Sequence, residues 1–252
     1  MTVNLKVQIK GLDDVRKLLA GIKQQAPMIL AKTLTQIAKV AKEKQIAEMK
    51  AIFNKPNPYV LNSLYVSMAT PGNLVASVRL REYGGTPAES FLGPQIFGGR
   101  RSLKRFEKAL QYKGLLPRGM YAVPGRGLDL DAYGNPKPSQ IVQVLSYFQA
   151  FQEQGYKANM TAKKIRRMKK GTKRVAGFVY FCLTRQRGKL PPGIYRRQGT
   201  AWGSPIVPMW IFVNKSTYKK RFGFHEIGQE VVEKDGVRIA NEQIQKELDR
   251  LK

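Results

Sequence analysis

The chain has 252 residues, 42% of them apolar, with 11 Tyr, 11 Phe and 2 Trp, enough to build a core and to exclude a disordered basic tail. Its single cysteine, Cys182, excludes an internal disulfide framework, and no run approaches the ~18 consecutive apolar residues of a membrane-spanning helix. Forty-five Lys and Arg against 17 Asp and Glu leave a net charge of +28, which speaks of partners rather than of fold and favours nucleic acid or another anionic surface.

The N-terminal stretch M-T-V-N-L-K-V-Q-I-K lacks the apolar core of a signal peptide, so the expected setting is cytosol-like. Val3, Leu5, Val7 and Ile9 alternate with polar residues and predict a half-buried strand. Residues 12–25 predict a short helix, with Asp13 and Asp14 in its first turn, where acids suit the helix dipole. Pro27 suits the first turn of a longer helix over 28–53. Leu30, Leu34, Ile37 and Ala41 give that helix a core stripe, and Lys32, Lys39, Lys42, Lys44 and Lys50 give it a basic outer face. N-K-P-N-P stops it. Strands over 64–68 and 74–81 follow, joined across Pro71-Gly72-Asn73 as a hairpin.

From 84 to about 171 Gly and Pro become frequent, in G-G-T-P, V-P-G-R-G and Y-G-N-P-K-P, with helices expected at 102–112 and 139–154. In the second of these Ile141, Val142, Leu145 and Phe148 are the expected packing residues. Strand texture resumes at 177–183, 193–197 and 206–213, then a basic connector at 215–221 and a mixed-charge helix from 226, which Asp235-Gly236 is expected to interrupt. The predicted fold is α+β: a long N-terminal helix on a mostly antiparallel sheet built from 1–83 and 172–252, a large loop-and-helix insertion at 84–171, and a C-terminal helix. Loops between 84 and 136 are candidates for contacts with neighbouring molecules, because long loops in compact domains are usually functional.

The charge is not evenly spread. Between Gln154 and His225 there are 18 Lys and Arg and no Asp or Glu, and nine of the cations lie between Lys157 and Arg174. Such a segment cannot neutralise itself. Lys163, Lys164, Arg166, Arg167, Lys169, Lys170, Lys173 and Arg174 are therefore the candidate contacts to phosphates or to an acidic partner. The sequence carries no base-reading motif such as a zinc finger, helix-turn-helix or RNP signature, so contact with DNA is expected at phosphates and without sequence preference.

Signals for catalysis are weak. His225, in R-F-G-F-H-E, is the only histidine and lies over forty residues from the only cysteine, a poor basis for a zinc site. Asp129 and Asp131 lack the spacing of a calcium loop and read as a polar turn. Gly98-Gly99-Arg100-Arg101 lacks the spacing of a phosphate-binding loop. Cys182, in F-V-Y-F-C-L-T, reads as an inert buried thiol. The expectation is a non-enzyme without metal or cofactor.

The order of elements carries a resemblance. G-L-D-D-V-R-K-L-L precedes the basic helix A-P-M-I-L-A-K-T-L-T-Q-I-A-K-V-A-K; later come G-I-Y-R-R, P-I-V-P-M-W-I-F-V and Y-K-K-R-F-G-F-H-E, before the final helix. Over 1–81 and 175–252 this layout resembles the minor tail protein Z group and the related head-tail joining and tail-completion proteins of long-tailed bacteriophages. The resemblance implies a structural virion protein, assembled in the host cytoplasm as a ring of identical subunits at the neck or the top of the tail. It implies contacts with neighbouring neck or tail proteins and with DNA passing through the ring, and no contact with a membrane. Two other readings stay open: a non-catalytic basic nucleic-acid-binding module, and a nucleic-acid enzyme with an unrecognised site.

Overall fold

The computed structural model describes residues 4–6, 26–82, 86–151, 158–173, 175–199, 203–214 and 217–249. The fold is α+β and divides into two compact units, 1–101 with 218–252 and 102–217. Of the expected opening strand only Asn4–Lys6 (β1) falls within the described residues, and the expected helix over 12–25 lies outside them.

In the first unit the long helix α1 runs from Ala26 to Ile52. Its predicted stripe is buried, with Leu30, Leu34, Ile37 and Ala41 at most 4% exposed. Ala, Leu, Lys and Glu supply good helix propensity, but the stripe is what fixes the helix, since most helical stability in proteins comes from packing one face. A one-turn helix α2 (Pro58–Leu61) follows, capped by the Asn57 side chain, which accepts from the Val60 N–H at 2.9 Å. The predicted hairpin forms, with its second strand shorter than the expected 74–81. Strands β2 (Leu64–Ser67) and β3 (Ser77–Leu80) pair antiparallel with Val66 opposite Val78, and β1 joins the other edge of β3 with Leu5 opposite Val78. Helix α3 (Glu89–Phe97) was not legible, because it contains Pro94, which removes an N–H from the ladder. Burial of Leu92, Pro94, Gln95 and Ile96 holds it in place.

The C-terminal helices α7 (Phe224–Glu230) and α8 (Gly236–Asp249) are joined by a π-helical segment, Val231–Asp235. The interruption expected at Asp235-Gly236 takes the form of this π segment, which ends at Asp235: the chain stays helical, Gly236 has helical backbone angles, and the extra residue is absorbed by the wider turns before it. Phe222, Phe224, Val231 and Ile239 close the core over α1, β2 and β3. Gln45 is fully buried within this core and donates to the Phe224 carbonyl at 2.8 Å. Arg221 of the basic connector is a structural cation, since its Nε donates to Gln95 Oε1 at 2.7 Å and its guanidinium lies 5.5 Å from the Phe53 ring centre.

The second unit holds a four-stranded antiparallel sheet of β4 (Tyr121–Pro124), β5 (Phe178–Leu183), β6 (Gly193–Gln198) and β7 (Ile206–Val213), in the order β4-β7-β6-β5. Here the division differs from the one expected. The three late strands, assigned above to one core with residues 1–83, form instead one sheet with β4 from the segment read as an insertion, with β7 pairing directly with it. The signal missed was in V-P-G-R-G. The Gly125 N–H donates to the Met209 carbonyl at 2.8 Å and the Gly127 N–H to the Pro208 carbonyl at 2.9 Å. A Cβ at Gly125 would stand 2.4 Å from the Pro208 oxygen, so these glycines permit close backbone approach rather than marking a free loop. Pro208 lies on a central strand, opposite a register shift between Ile194 and Tyr195 that lets the ladder continue past its missing N–H.

Helices α4 (Arg105–Tyr112), α5 (Pro138–Tyr147) and α6 (Ala162–Lys170) complete this unit. Helix α5 ends before the expected 154, where Gln149 takes a φ of 54°. Leu145 is buried and Ile141 and Phe148 pack partly, but Val142, expected in the core, is 50% exposed. Phe106, Leu110, Val144, Tyr180, Ile194, Trp210 and Phe212 form the core. Glu107 is fully buried beside it and accepts from the backbone N–H of Lys104 at 2.7 Å and of Ala122 at 2.8 Å, tying the start of α4 to β4. Removing it strands the buried Ala122 N–H and leaves the Lys104 N–H at the helix start without its acceptor. Glu107→Ala is expected to destabilise the protein by about 3 kcal/mol, and Glu107→Gln by less, measured as the change in chemical-denaturation midpoint.

Candidate nucleic-acid interface

The second unit has 22 Lys and Arg against four Asp and Glu, a net charge of +18 out of the chain's +28. Glu107 is buried and committed to backbone N–H groups. Asp131 accepts from the N–H of Tyr133 at 2.9 Å and of Asn135 at 2.8 Å, which hold its carboxyl below the usual range, the Asn135 bond most strongly. Asp129 accepts from the Gln140 side chain at 3.0 Å. Both aspartates therefore serve a turn, as their spacing suggested.

The basic run folds into α6. Thr161 caps it, its hydroxyl accepting from the Lys164 N–H at 3.3 Å, and Ala, Lys, Arg and Met are good helix formers. At about 100° per residue, Ile165 and Met168 fall on one side, Lys163, Arg166, Arg167 and Lys170 on the opposite side, and Lys164 and Lys169 on the flanks. The accessibilities agree: Ile165 and Met168 are half-buried and all six cations are exposed. Lys173 is exposed in the turn that follows, and Arg174 lies outside the described residues. Seven of the eight candidate residues are thus placed, six of them on one helix.

The attachment of α6 is specific. At its end Gly171 takes a φ of 74°, and a Cβ on Gly177 would stand 2.0 Å from the Lys169 carbonyl oxygen, so the helix terminus lies directly on the backbone leading into β5. Met168 Sδ lies 3.9 Å from the Gln143 amide, and Gln143 in turn accepts from the Tyr180 hydroxyl at 3.2 Å, which links α6 to α5 and the sheet.

Among the described residues none of the α6 cations forms an ion pair. Helix α1 is a useful contrast. Its Lys32 pairs with Glu247, and its Lys44 pairs with Asp235 at 2.7 Å. The basic face of α1 is partly met by acids of the C-terminal helices, whereas that of α6 meets none among the described residues. The α6 geometry also opposes its own first turn, where Lys163 and Lys164 sit at the positive end of the helix dipole. An anion brought there relieves both the dipole and the like-charge repulsion.

The remaining candidates resolve differently. Gly98-Gly99-Arg100-Arg101 follows the C-terminus of α3, the carbonyl end of a helix, which repels anions. His225 packs against the rings of Phe97 and Phe224, at 6.0 and 5.3 Å between centres. Among the described residues no three His, Cys, Asp or Glu side chains cluster as metal ligands would. A feature the sequence did not disclose is an open groove of about 670 Å³ beside α6, walled by α5 and floored by Phe178. No known protein family, curated protein or solved structure matches the chain.

Burial pushes the Cys182 thiol up to about 11, and its Sγ donates to the Leu115 carbonyl at 3.4 Å. The thiolate is the reactive form, so a raised value leaves very little of it near neutrality. Alkylation at about pH 7.5 is expected to be at least about 100-fold slower in the native protein than in denaturant, and to accelerate as pH rises toward 11. Equal rates, read by mass spectrometry, would contradict this assignment.

Proposed function

We propose that the chain is a non-catalytic structural protein that meets DNA through phosphates along α6, and that it acts in the particle of a tailed phage as a ring-forming subunit at the neck or top of the tail. The observation that carries the DNA contact is the exposed, unpaired basic face of α6 in a unit of net charge +18. Six cations on a helix about 13 Å long approach the density of phosphate charges along a duplex, about one per 1.7 Å of axis. Nothing in the arrangement is shaped to read base edges, so the contact is general. The virion role rests on the layout resemblance, and the charge suits it: a ring multiplies the positive charge around its channel, where DNA offsets the repulsion. Its other partners are then copies of itself and the neighbouring neck or tail proteins.

Two tests follow. Replacing Lys163, Lys164, Arg166 and Arg167 together with Gln is expected to lower the slope of log affinity against log salt by about one unit for each side chain that meets a phosphate, so by roughly two to four units, with no change in sequence preference. An unchanged slope in a folded variant would make the run a solvated face. Phage assembled without the protein is expected to yield unjoined heads and tails or particles that lose their genome. Normal infectious particles lacking it would overturn the virion role and leave a free nucleic-acid-binding module.

A further inference from the structure

The groove beside α6 makes a different kind of offer from the basic face. Its most exposed apolar surface is aliphatic: Val142 and Val175 are 50% and 59% exposed, and Met168 and Phe178 line the groove half-buried. Lys164 and Arg167 stand on its rim, and no acidic residue lines it. Exposed apolar surface rimmed by charge of one sign marks a site for a partner with apolar residues and the opposite charge.

Three kinds of occupant compete, and the hydrogen bonds separate them. A nucleobase needs a free ring face and free polar groups. The Phe178 ring already meets the edge of Tyr180 at 5.4 Å and the guanidinium of Arg196 at 5.7 Å. Gln143 is engaged with Tyr180 and Met168, and the Ser146 hydroxyl donates to the Ala158 carbonyl. An added β-strand needs free backbone groups, but Thr172 and Val175 in the wall bond to each other: the Thr172 N–H donates to the Val175 carbonyl at 2.8 Å, and the Val175 N–H to the Thr172 hydroxyl at 3.1 Å. What remains is aliphatic surface between two helices with two free cations at its edge. That suits the apolar ridge of a third helix, with methionine adapting to its side chains.

We infer that the groove between α5 and α6 docks an acidic amphipathic helix of a partner protein, its apolar ridge on Val142, Met168 and Val175 and its carboxylates on Lys164 and Arg167. The site shares Lys164 and Arg167 with the proposed DNA contact but differs from it in its apolar surface, Val142, Met168 and Val175, so the two contacts are separated by changing those residues.

The probe is a labelled peptide of about 16 residues with Leu at i, i+3, i+4 and i+7 and Glu on the outer face, titrated against the full chain by fluorescence anisotropy. A scrambled peptide of the same composition is expected to bind at least about tenfold more weakly. The neutral pair Val142→Asn and Val175→Asn, both on exposed surface, is expected to weaken the amphipathic peptide by at least about tenfold while leaving the DNA salt slope unchanged. A peptide with its Leu residues changed to Gln, tested on the unaltered protein, is expected to show the same loss and needs no refolded variant. Equal binding of the scrambled peptide would reduce the effect to charge and overturn the site. So would unaltered binding by the Asn pair. Binding of labelled oligothymidylate that falls with the Asn pair would assign the groove to a nucleobase instead.

Discussion

Like-charge repulsion along α6 is the constraint around which the second unit is arranged. Six cations sit within nine residues, and their i, i+3 and i, i+4 neighbours repel by a few tenths of a kcal/mol per pair in water. The helix persists because other terms offset this. Thr161 caps its start, its residues favour helix, Arg167, Lys169 and Lys170 suit its negative end, and Ile165 and Met168 anchor one side. Among the described residues no α6 cation has a carboxylate partner. Glu107 is committed to the junction of α4 and β4, and Asp129 and Asp131 to a turn.

The first unit solves a similar problem in another way. Helix α1 also carries a lysine-rich face, but α8 and the π segment before it bring Glu247 and Asp235 to Lys32 and Lys44. Hydrogen bonds from Lys44 and then Arg238 hold the Asp235 carboxyl below its usual range. Surface pairs of this kind add little stability. Their consequence is electrostatic: they mute the field of α1 in part, at Lys32 and Lys44, whereas no α6 cation has such a partner among the described residues.

Much of this was legible from the chain. The period of Leu30, Leu34, Ile37 and Ala41 gave α1, alternation gave the β2–β3 hairpin, and β-branched and aromatic runs gave β5, β6 and β7 to within a residue or two. What escaped was set by long-range contacts. Helix α3 survives Pro94 because it is buried, β4 is recognisable only beside its partner β7, and the two-unit division follows from that pairing. Gly236 looked like a break and is helical, since its neighbours pack on α1. In the site, the basic run announced itself by charge alone, but its helical form did not, because Ile165 and Met168 are too few to show a period. The groove was hidden for a related reason: Val142 lies off the α5 stripe of Ile141, Val144, Leu145 and Phe148, and reads as one more core residue until its exposure is known.

The proposed DNA contact requires that the α6 cations, and not the protein's positive charge in general, meet the phosphates. Lysine acetylation read residue by residue by mass spectrometry, with and without a saturating DNA duplex at moderate salt, distinguishes the two. Lys163, Lys164 and Lys170 are expected to lose reactivity several-fold on binding, while Lys39 and Lys50, exposed on α1, keep theirs. Equal protection of both helices, or protection of α1 alone, would contradict it.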